Sequence, residues 1–399
     1  MRLIATCPEE TKSLLAQELT NLGATQIHEG YMAVEFEADE ETFYEIHLKL
    51  RTASQIHLIL RECAAKDPHM LNSQAKRIKW QEIFDANQTF RVDAVAGDRG
   101  EEAMTGNKIS KTVRLSLQTV FEREIGQVPE VELKEPDVII IAYVHGGRAT
   151  ISVNTSGLTL HKRGYKDDDH PAPLKETLAS SLLMLSGYTG DEVLYDPMCG
   201  SGTIAIEAAM MSLNKAANIH RKKGNFAFER LKMFNNSIWR KIQDKVRAEK
   251  LENTAHPIFA SDISPKFVEW AQENALRARV ERNIQFSVED FFRGQKPAES
   301  GLLIINLPYG DRIGSGTEEE LEDFYKRIGD KLKKDYVGWR AALFCSEDAP
   351  WRVIGLKPSR RIPLMNGSIK TKLFIYQMYS GTRKKKNSID ENPTLEVEL

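Results

Sequence analysis

Two short stretches of the chain carry residue types that chemistry needs. The sharper is Asn306-Leu307-Pro308-Tyr309-Gly310, at the end of the apolar run Leu302–Ile305. It offers two hydrogen-bond acceptors side by side, Asn306 Oδ1 and the Leu307 carbonyl. The exocyclic amine of a nucleobase is a poor nucleophile, because its lone pair is delocalised into the ring. Acceptors that take its hydrogens turn the lone pair out toward an electrophile. Pro308 fixes the backbone. Tyr309 presents a flat face on which a flipped base can stack, a contact worth about 1–3 kcal/mol per base. N-x-P-Y alone is short enough to arise by chance; its place at the end of the fourth strand of a series gives it weight.

The second stretch is Asp196-Pro197-Met198-Cys199-Gly200-Ser201-Gly202-Thr203. It follows the apolar Val193–Tyr195 and opens into Ile204–Met210, which reads as a helix. A strand, a glycine turn and a helix in that order make a ligand site of the doubly wound kind. The helix start points free N–H groups at whatever sits there. A P-loop would need Lys-Ser/Thr after the last glycine; here Thr203-Ile204 follows. Ala205 occupies the third-glycine position of G-x-G-x-x-G, which tolerates it. The turn alone fits NAD, another adenosine cofactor, or a plain loop–helix junction. Cys199 reads as a small packing residue.

Two carboxylates continue the series. The strand Pro257–Ser261 ends on Asp262, placed to take the hydroxyls of a ribose. It follows Asp196 by 66 residues (262 − 196), against the about 20 of a dinucleotide fingerprint, so that fingerprint fails on distance. The strand Ile284–Val288 leads to Asp290 and Phe291. Asp290 could accept the amino group of adenine while Phe291 packs on the ring; equally, Asp290 caps the next turn. Between Asp196 and Asp262 lies an insertion holding Arg221-Lys222-Lys223 with Phe226 and Trp239. It reads as a solvated surface helix pair or as a substrate contact.

The elements that must position these residues are legible from periodicity. Strands are expected at Val193–Tyr195, Ile258–Ala260, Ile284–Val288, Leu302–Ile305 and Ala341–Cys345, and helices near Lys175–Leu185, Pro265–Ala278 and Glu319–Lys333. Such alternation predicts a parallel sheet covered on both faces. Val353–Leu356 and Lys372–Tyr379 are expected as an antiparallel pair at its edge. Residues 1–63 read β-α-β-β-α-β, a ferredoxin-like order. Residues 64–160 read as a second α+β unit, with strands Thr89–Ala96, Asp137–Val144 and Ala149–Val153 and a helix Asn107–Ile125.

The 399 residues suffice for two or three domains. No apolar run reaches the about 18 residues of a membrane span, and the N-terminus has no signal-peptide core. Four separated cysteines, without a C-x-x-C pair, argue against a zinc ribbon or a disulfide framework and suit the cytoplasm. A net charge of −2 does not announce a nucleic-acid partner, although local patches do such binding.

Asp196–Thr203, Asp262, Asp290 and Asn306–Gly310 resemble the successive motifs of class I S-adenosylmethionine-dependent methyltransferases of the amino-group type. His161–Tyr165, Ala172–Ala179 and the long insertion resemble those of THUMP-containing RNA guanine-N2 methyltransferases. Val131–Asp137 resembles part of their THUMP domain. The match is nearest to the large-subunit ribosomal RNA guanine-N2 methyltransferase family, and to the guanine-N2 half alone of its fused, two-methyltransferase members.

The resemblance implies an α/β, Rossmann-like methyltransferase domain (161–382, insertion about 213–256) after ferredoxin-like (1–63) and THUMP (64–160) domains, with a polar tail at 383–399. It implies S-adenosylmethionine as cofactor: its methionine part at Asp196, Pro197, Cys199, Gly200, Ser201, Gly202 and Thr203, its ribose at Asp262 with Ile263, its adenine at Asp290 and Phe291. Asn306, Leu307, Pro308 and Tyr309 would be catalytic, and no metal is implied. Leu307 departs from the Pro common in relatives; only its carbonyl is needed. RNA, ribosomal or transfer, is the implied partner, with Arg163, Arg221, Lys222, Lys223, Lys370 and Lys372 as candidate contacts. Adenine-N6 DNA methylases and protein glutamine methyltransferases share N-P-P-Y-like motifs and stand as alternatives, as does a non-enzymatic RNA-binding protein. The mixed α+β N-terminal part favours RNA over the first two, and the complete motif set disfavours the third.

Overall fold

The computed structural model describes residues 1–97, 104–166, 174–308 and 317–379. Two seven-stranded sheets organise them. The first is built from β1 (Arg2–Thr6), β2 (Thr25–Glu29), β3 (Ala33–Glu37), β4 (Gln55–Ala64), β5 (Phe90–Ala96), β6 (Val138–His145) and β7 (Arg148–Asn154), in the order β2-β3-β1-β4-β7-β6-β5. Its helices are α1 (Lys12–Asn21), α2 (Glu40–Lys49), α3 (Pro68–Ala75) and α4 (Gly106–Ile125). Local chemistry sets their ends. Asp39 accepts from Thr42 N–H, Asp67 from Met70 N–H and Thr105 from Lys108 N–H, each satisfying a free donor of a first turn. The short α3, with Asn72, Ser73 and Gln74, has little apolar periodicity and was not expected.

Strand β4 joins the two N-terminal units. One edge pairs residues 55–58 with β1, and the other pairs residues 57–64 with β7. The expected ferredoxin-like and THUMP units are therefore halves of one continuous sheet, with the boundary at 63 inside its central strand.

The second sheet holds β8 (Leu194–Asp196), β9 (Ile258–Asp262), β10 (Ile284–Val288), β11 (Leu302–Asn306), β12 (Arg340–Ser346), β13 (Arg360–Asn366) and β14 (Ile369–Gln377), in the order β10-β9-β8-β11-β12-β14-β13. Strands β8 to β12 run parallel, and β14 is antiparallel to both β12 and β13. Helices α5 (Glu176–Leu185), α6 (Thr203–Ser212), α8 (Pro265–Arg277) and α9 (Glu318–Asp335) complete the unit, while α7 (Asn236–Ala248), from the insertion, packs on α2. Leu302, Leu303, Ile304 and Ile305 of β11 are all fully buried, their alternate side chains entering the cores on opposite faces. That is why the strand reads as a continuous apolar run. The chain order reverses between β8 and β11, the switch point at which such sheets bind ligands.

One expected strand is corrected. Val353–Leu356 is not extended: Trp351–Ile354 forms a 3-10 turn packed on α9. The true edge strand is β13, whose Arg360, Arg361 and Pro363 hid it from apolar patterning. Proline and charge are the residues an edge strand tolerates.

The insertion is corrected too. Its Phe226, Phe228 and Trp239 are buried. Phe228 packs 5.5 Å from Phe43 and 5.2 Å from Tyr44 of α2, and Trp239 lies 5.6 Å from Tyr44. Phe226, Phe228 and Trp239 thus complete the core of the N-terminal unit.

Arg163 and Arg221, expected at the surface as RNA contacts, share this task and are buried. Arg163 has no exposed surface; its guanidinium donates to the Leu160 carbonyl (2.7 Å), the Arg51 carbonyl (2.5 Å) and Asn218 Oδ1 (3.0 Å). Arg221 is buried, donating to the carbonyls of Thr159, Lys162, Ser156, Leu158 and Asn225. An arginine's five fixed donors suit the binding together of several chain segments. Both expected RNA contacts are instead clamps between the two units.

Candidate cofactor and acceptor site

The glycine turn sits at the C-terminal end of β8, pinned to the end of β9. Cys199 N–H donates to the Ser261 carbonyl (2.9 Å), and Gly200 N–H to Asp262 Oδ2 (3.0 Å). Asp262 Oδ1 takes Ser264 N–H at 3.0 Å. The carboxylate that its strand-end position placed near a ribose thus first holds the turn in shape, and each oxygen retains acceptor capacity for a ligand. Ser201 is fixed through its carbonyl, which accepts from Asn274 Nδ2 at 3.0 Å.

The two glycines serve different ends. Both have positive φ, +52° at Gly200 and +79° at Gly202, a region glycine enters freely. A Cβ on Gly202 would lie 2.9 Å from the Ala271 Cβ, so this glycine lets α6 approach α8. A Cβ on Gly200 would meet nothing within 4 Å; it faces the open side of the turn.

Above the turn lies a cavity of about 920 Å³. The expected cofactor residues Asp196, Pro197, Cys199, Gly200, Ser201, Thr203, Asp262, Ile263, Asp290 and Phe291 line it, with Asn306 and Pro308. Gly202 stands behind. Ile263 is 70% exposed at the mouth, an apolar surface that a ring can cover.

Asp196 is buried, and its Oδ1 has no hydrogen-bond partner among the described residues. Burial pushes its carboxyl up to about 8, the charge of Asp262 adding and the Met198 N–H opposing. Burial also raises the Cys199 thiol well above its usual range, which keeps it protonated and un-nucleophilic.

At the third strand, Asp290 Oδ1 accepts Phe292 N–H at 2.9 Å, so the turn-capping reading holds while the residue also lines the cavity. Phe291 is 3% exposed and packs into the core beside Tyr336, with ring centroids 5.7 Å apart. Its neighbour Phe292 contributes the more exposed ring. Phe324 of α9 meets it edge-on at 5.5 Å, and the Arg327 guanidinium stands 4.0 Å over its face. Phe292, Phe324 and Arg327 line the cavity and were missed. The Phe291-Phe292 doublet was a usable signal; the approach of α9 was not.

Asn306 closes β11 beside the cavity, and its Oδ1 is buried without a partner among the described residues. Leu307 N–H donates to the Phe344 carbonyl (2.9 Å), and its side chain is fully buried. Pro308 lines the cavity, while its carbonyl accepts the Tyr325 hydroxyl at 3.2 Å. Tyr309 lies outside the described residues. Lys222, Lys223 and Lys370 are exposed, and Lys372 pairs with Glu347 at 2.6 Å; none of the four lines the cavity.

Comparison with known proteins agrees with this arrangement. Residues 163–375 match the family model of the RMKL-like methyltransferase domain, residues 2–57 that of the RlmL ferredoxin-like domain, and residues 65–154 that of the THUMP domain. A putative RNA methyltransferase of Synechocystis sp. is 33% identical over 94% of this chain and 96% of its own length. The ribosomal RNA large subunit methyltransferase K/L of Shewanella frigidimarina is 34% identical over 96% of this chain but 53% of its own length, so the chain spans about half of that relative. Among solved structures, a possible methylase from Clostridium difficile 630 superposes with a TM-score of 0.85 at 30% identity, covering 96% of this chain and 99% of that one. A putative methyltransferase complexed with SAH gives 0.84 at 23% identity over 96% and 99% of the two chains, a likeness of fold. A doubly wound sheet with its cavity at the switch point, preceded by a ferredoxin-like and a THUMP domain, places this chain in the RMKL-like methyltransferase family.

Proposed function

We propose that this chain methylates the exocyclic N2 of a guanine in structured RNA, with 23S ribosomal RNA as the first candidate. The observation that carries the reading is Asn306 Oδ1, a buried acceptor without a partner on the wall of the cofactor cavity. A buried polar atom left unpaired costs about 1–3 kcal/mol, and an amine donor would satisfy it. The cavity residues fit S-adenosylmethionine by the same criterion: Asp196 Oδ1 is a second buried acceptor without a partner, suited to a donor on the cofactor's methionine part. When bound, that cofactor supplies an electrophilic methyl on a sulfonium.

The chain's own part is to bind and orient. The glycine turn and Asp196 hold one end of the cofactor, Asp262 and Ile263 the middle, and Asp290 with Phe291 and Phe292 the other. Asn306 Oδ1 and the Leu307 carbonyl take the amine hydrogens and direct its lone pair into the cavity. The THUMP match and the relatives' names support RNA over DNA or protein. Lys222, Lys223 and Lys370, being exposed, remain the proposed phosphate contacts, with Lys372 sharing its charge with Glu347. Methyl-labelled cofactor incubated with cell extract provides the test. Label that ribonuclease releases, recovered as N2-methylguanosine, supports the reading; label in DNA, protein or transfer RNA assigns one of the alternatives instead.

A further inference from the structure

The acceptor loop must hold its two acceptors still, and beyond the fixed φ of Pro308 its own backbone has few bonds with which to do so. Pro308 has no N–H, and after Leu307 no further backbone bond joins β11 to β12 among the described residues. The loop is anchored on one side by Leu307 N–H, which extends the ladder by one bond to the Phe344 carbonyl (2.9 Å). On the other side the Pro308 carbonyl accepts the Tyr325 hydroxyl at 3.2 Å.

We infer that Tyr325 is a positioning residue for methyl transfer: its hydroxyl occupies the Pro308 carbonyl, fixing the loop so that Asn306 Oδ1 and the Leu307 carbonyl are the acceptors offered to the amine. This rests on the reading of Asn306 given above. The tyrosine is itself placed by the packing of α9. It is fully buried, in the same core as the Leu307 side chain. Gly329, one turn on, lies on the same helix face. A Cβ there would fall 2.0 Å from the Ile354 carbonyl oxygen, so only glycine lets α9 settle on the 3-10 turn Trp351–Ile354. That close seat holds Tyr325 beneath the loop. Neither Tyr325 nor Gly329 touches the acceptor amine; both act through Pro308.

Removing the hydroxyl alone tests the inference. Tyr325→Phe keeps the ring and its packing. Turnover should fall about tenfold, equivalent to about 1.4 kcal/mol of barrier, while cofactor affinity by calorimetry and Tm stay near wild type. Tyr376→Phe is the control: its hydroxyl lies in the same core without a partner among the described residues, so its loss should leave turnover unchanged. The inference is overturned if Tyr325→Phe turns over at the wild-type rate, if Tyr376→Phe slows equally, or if Tyr325→Phe loses cofactor binding or fails to fold. Each of the last three results would make the hydroxyl a general support of the core. The ratio of rates is measured on whichever acceptor the wild type marks, so a wrong substrate reading shows in the acceptor's identity and a wrong role for Tyr325 in the ratio.

Discussion

Asp196 and Asn306 share one feature in the folded protein: each has a buried side-chain oxygen without a partner among the described residues. Asp196 has a pH signature. Its folded value near 8 exceeds the ordinary 3.8 because burial disfavours the anion. The native state therefore holds a proton that the unfolded chain releases, and stability from this group falls as pH rises from about 4 to about 8. The cofactor-free Tm should decline across pH 5–8, and Asp196→Asn should flatten that decline. An ammonium donor stabilises the anion, so cofactor binding at pH 6–7 should expel a proton. Calorimetry in buffers of different ionisation enthalpy would show it as a buffer-dependent heat; identical heats would contradict it. At this scale the motif carboxylates and Asn306 fall beside the cavity as their spacing along the strand series leads one to expect, because strand ends fix where such residues go. Sequence misassigned Arg163 and Arg221, because a buried guanidinium and a phosphate-seeking one are the same letter; only the surrounding carbonyls tell them apart.

At the scale of elements, the parallel strands and their helices were legible because buried strands are continuous apolar runs. The edge strand β13 and the short α3 were not, since neither carries an apolar period. The turn between β8 and α6 shows what the elements demand of single residues. Gly202→Ala forces a left-handed backbone, about 1–2 kcal/mol, and drives a methyl onto Ala271, about 1–3 kcal/mol of overpacking. Tm should fall clearly. Gly200→Ala bears only the backbone cost, since its Cβ meets no atom, and should unfold at a higher temperature than Gly202→Ala. The reverse order would contradict the division of labour between the two glycines.

Across the whole molecule, the insertion turns three domain matches into one assembly. Glu207 of α6 is fully buried; it accepts from Tyr165 (3.0 Å) and Ser180 (2.6 Å), with Arg163 Nε at 3.7 Å and Arg51 Nη1 at 3.9 Å. Arg51 follows α2 of the N-terminal unit and donates to the Lys215 carbonyl at 2.6 Å. Removing one partner of a buried ion pair costs about 3–5 kcal/mol, so Glu207→Ala should lower Tm sharply and loosen the junction, seen as faster proteolysis between the N-terminal and methyltransferase units. No such side chain was singled out from sequence, because its partners come from segments more than a hundred residues apart. The junction thus ties the ferredoxin-like half to the methyltransferase unit through Arg51.

The acceptor role of Asn306 is tested most directly by Asn306→Ala, assayed for N2-methylguanosine in RNA and, on the same preparation, for cofactor binding by calorimetry. The expected result is a loss of product of about a hundredfold or more, the scale of losing one preorganised polar partner, with cofactor affinity unchanged. Product formation at the wild-type rate would contradict it.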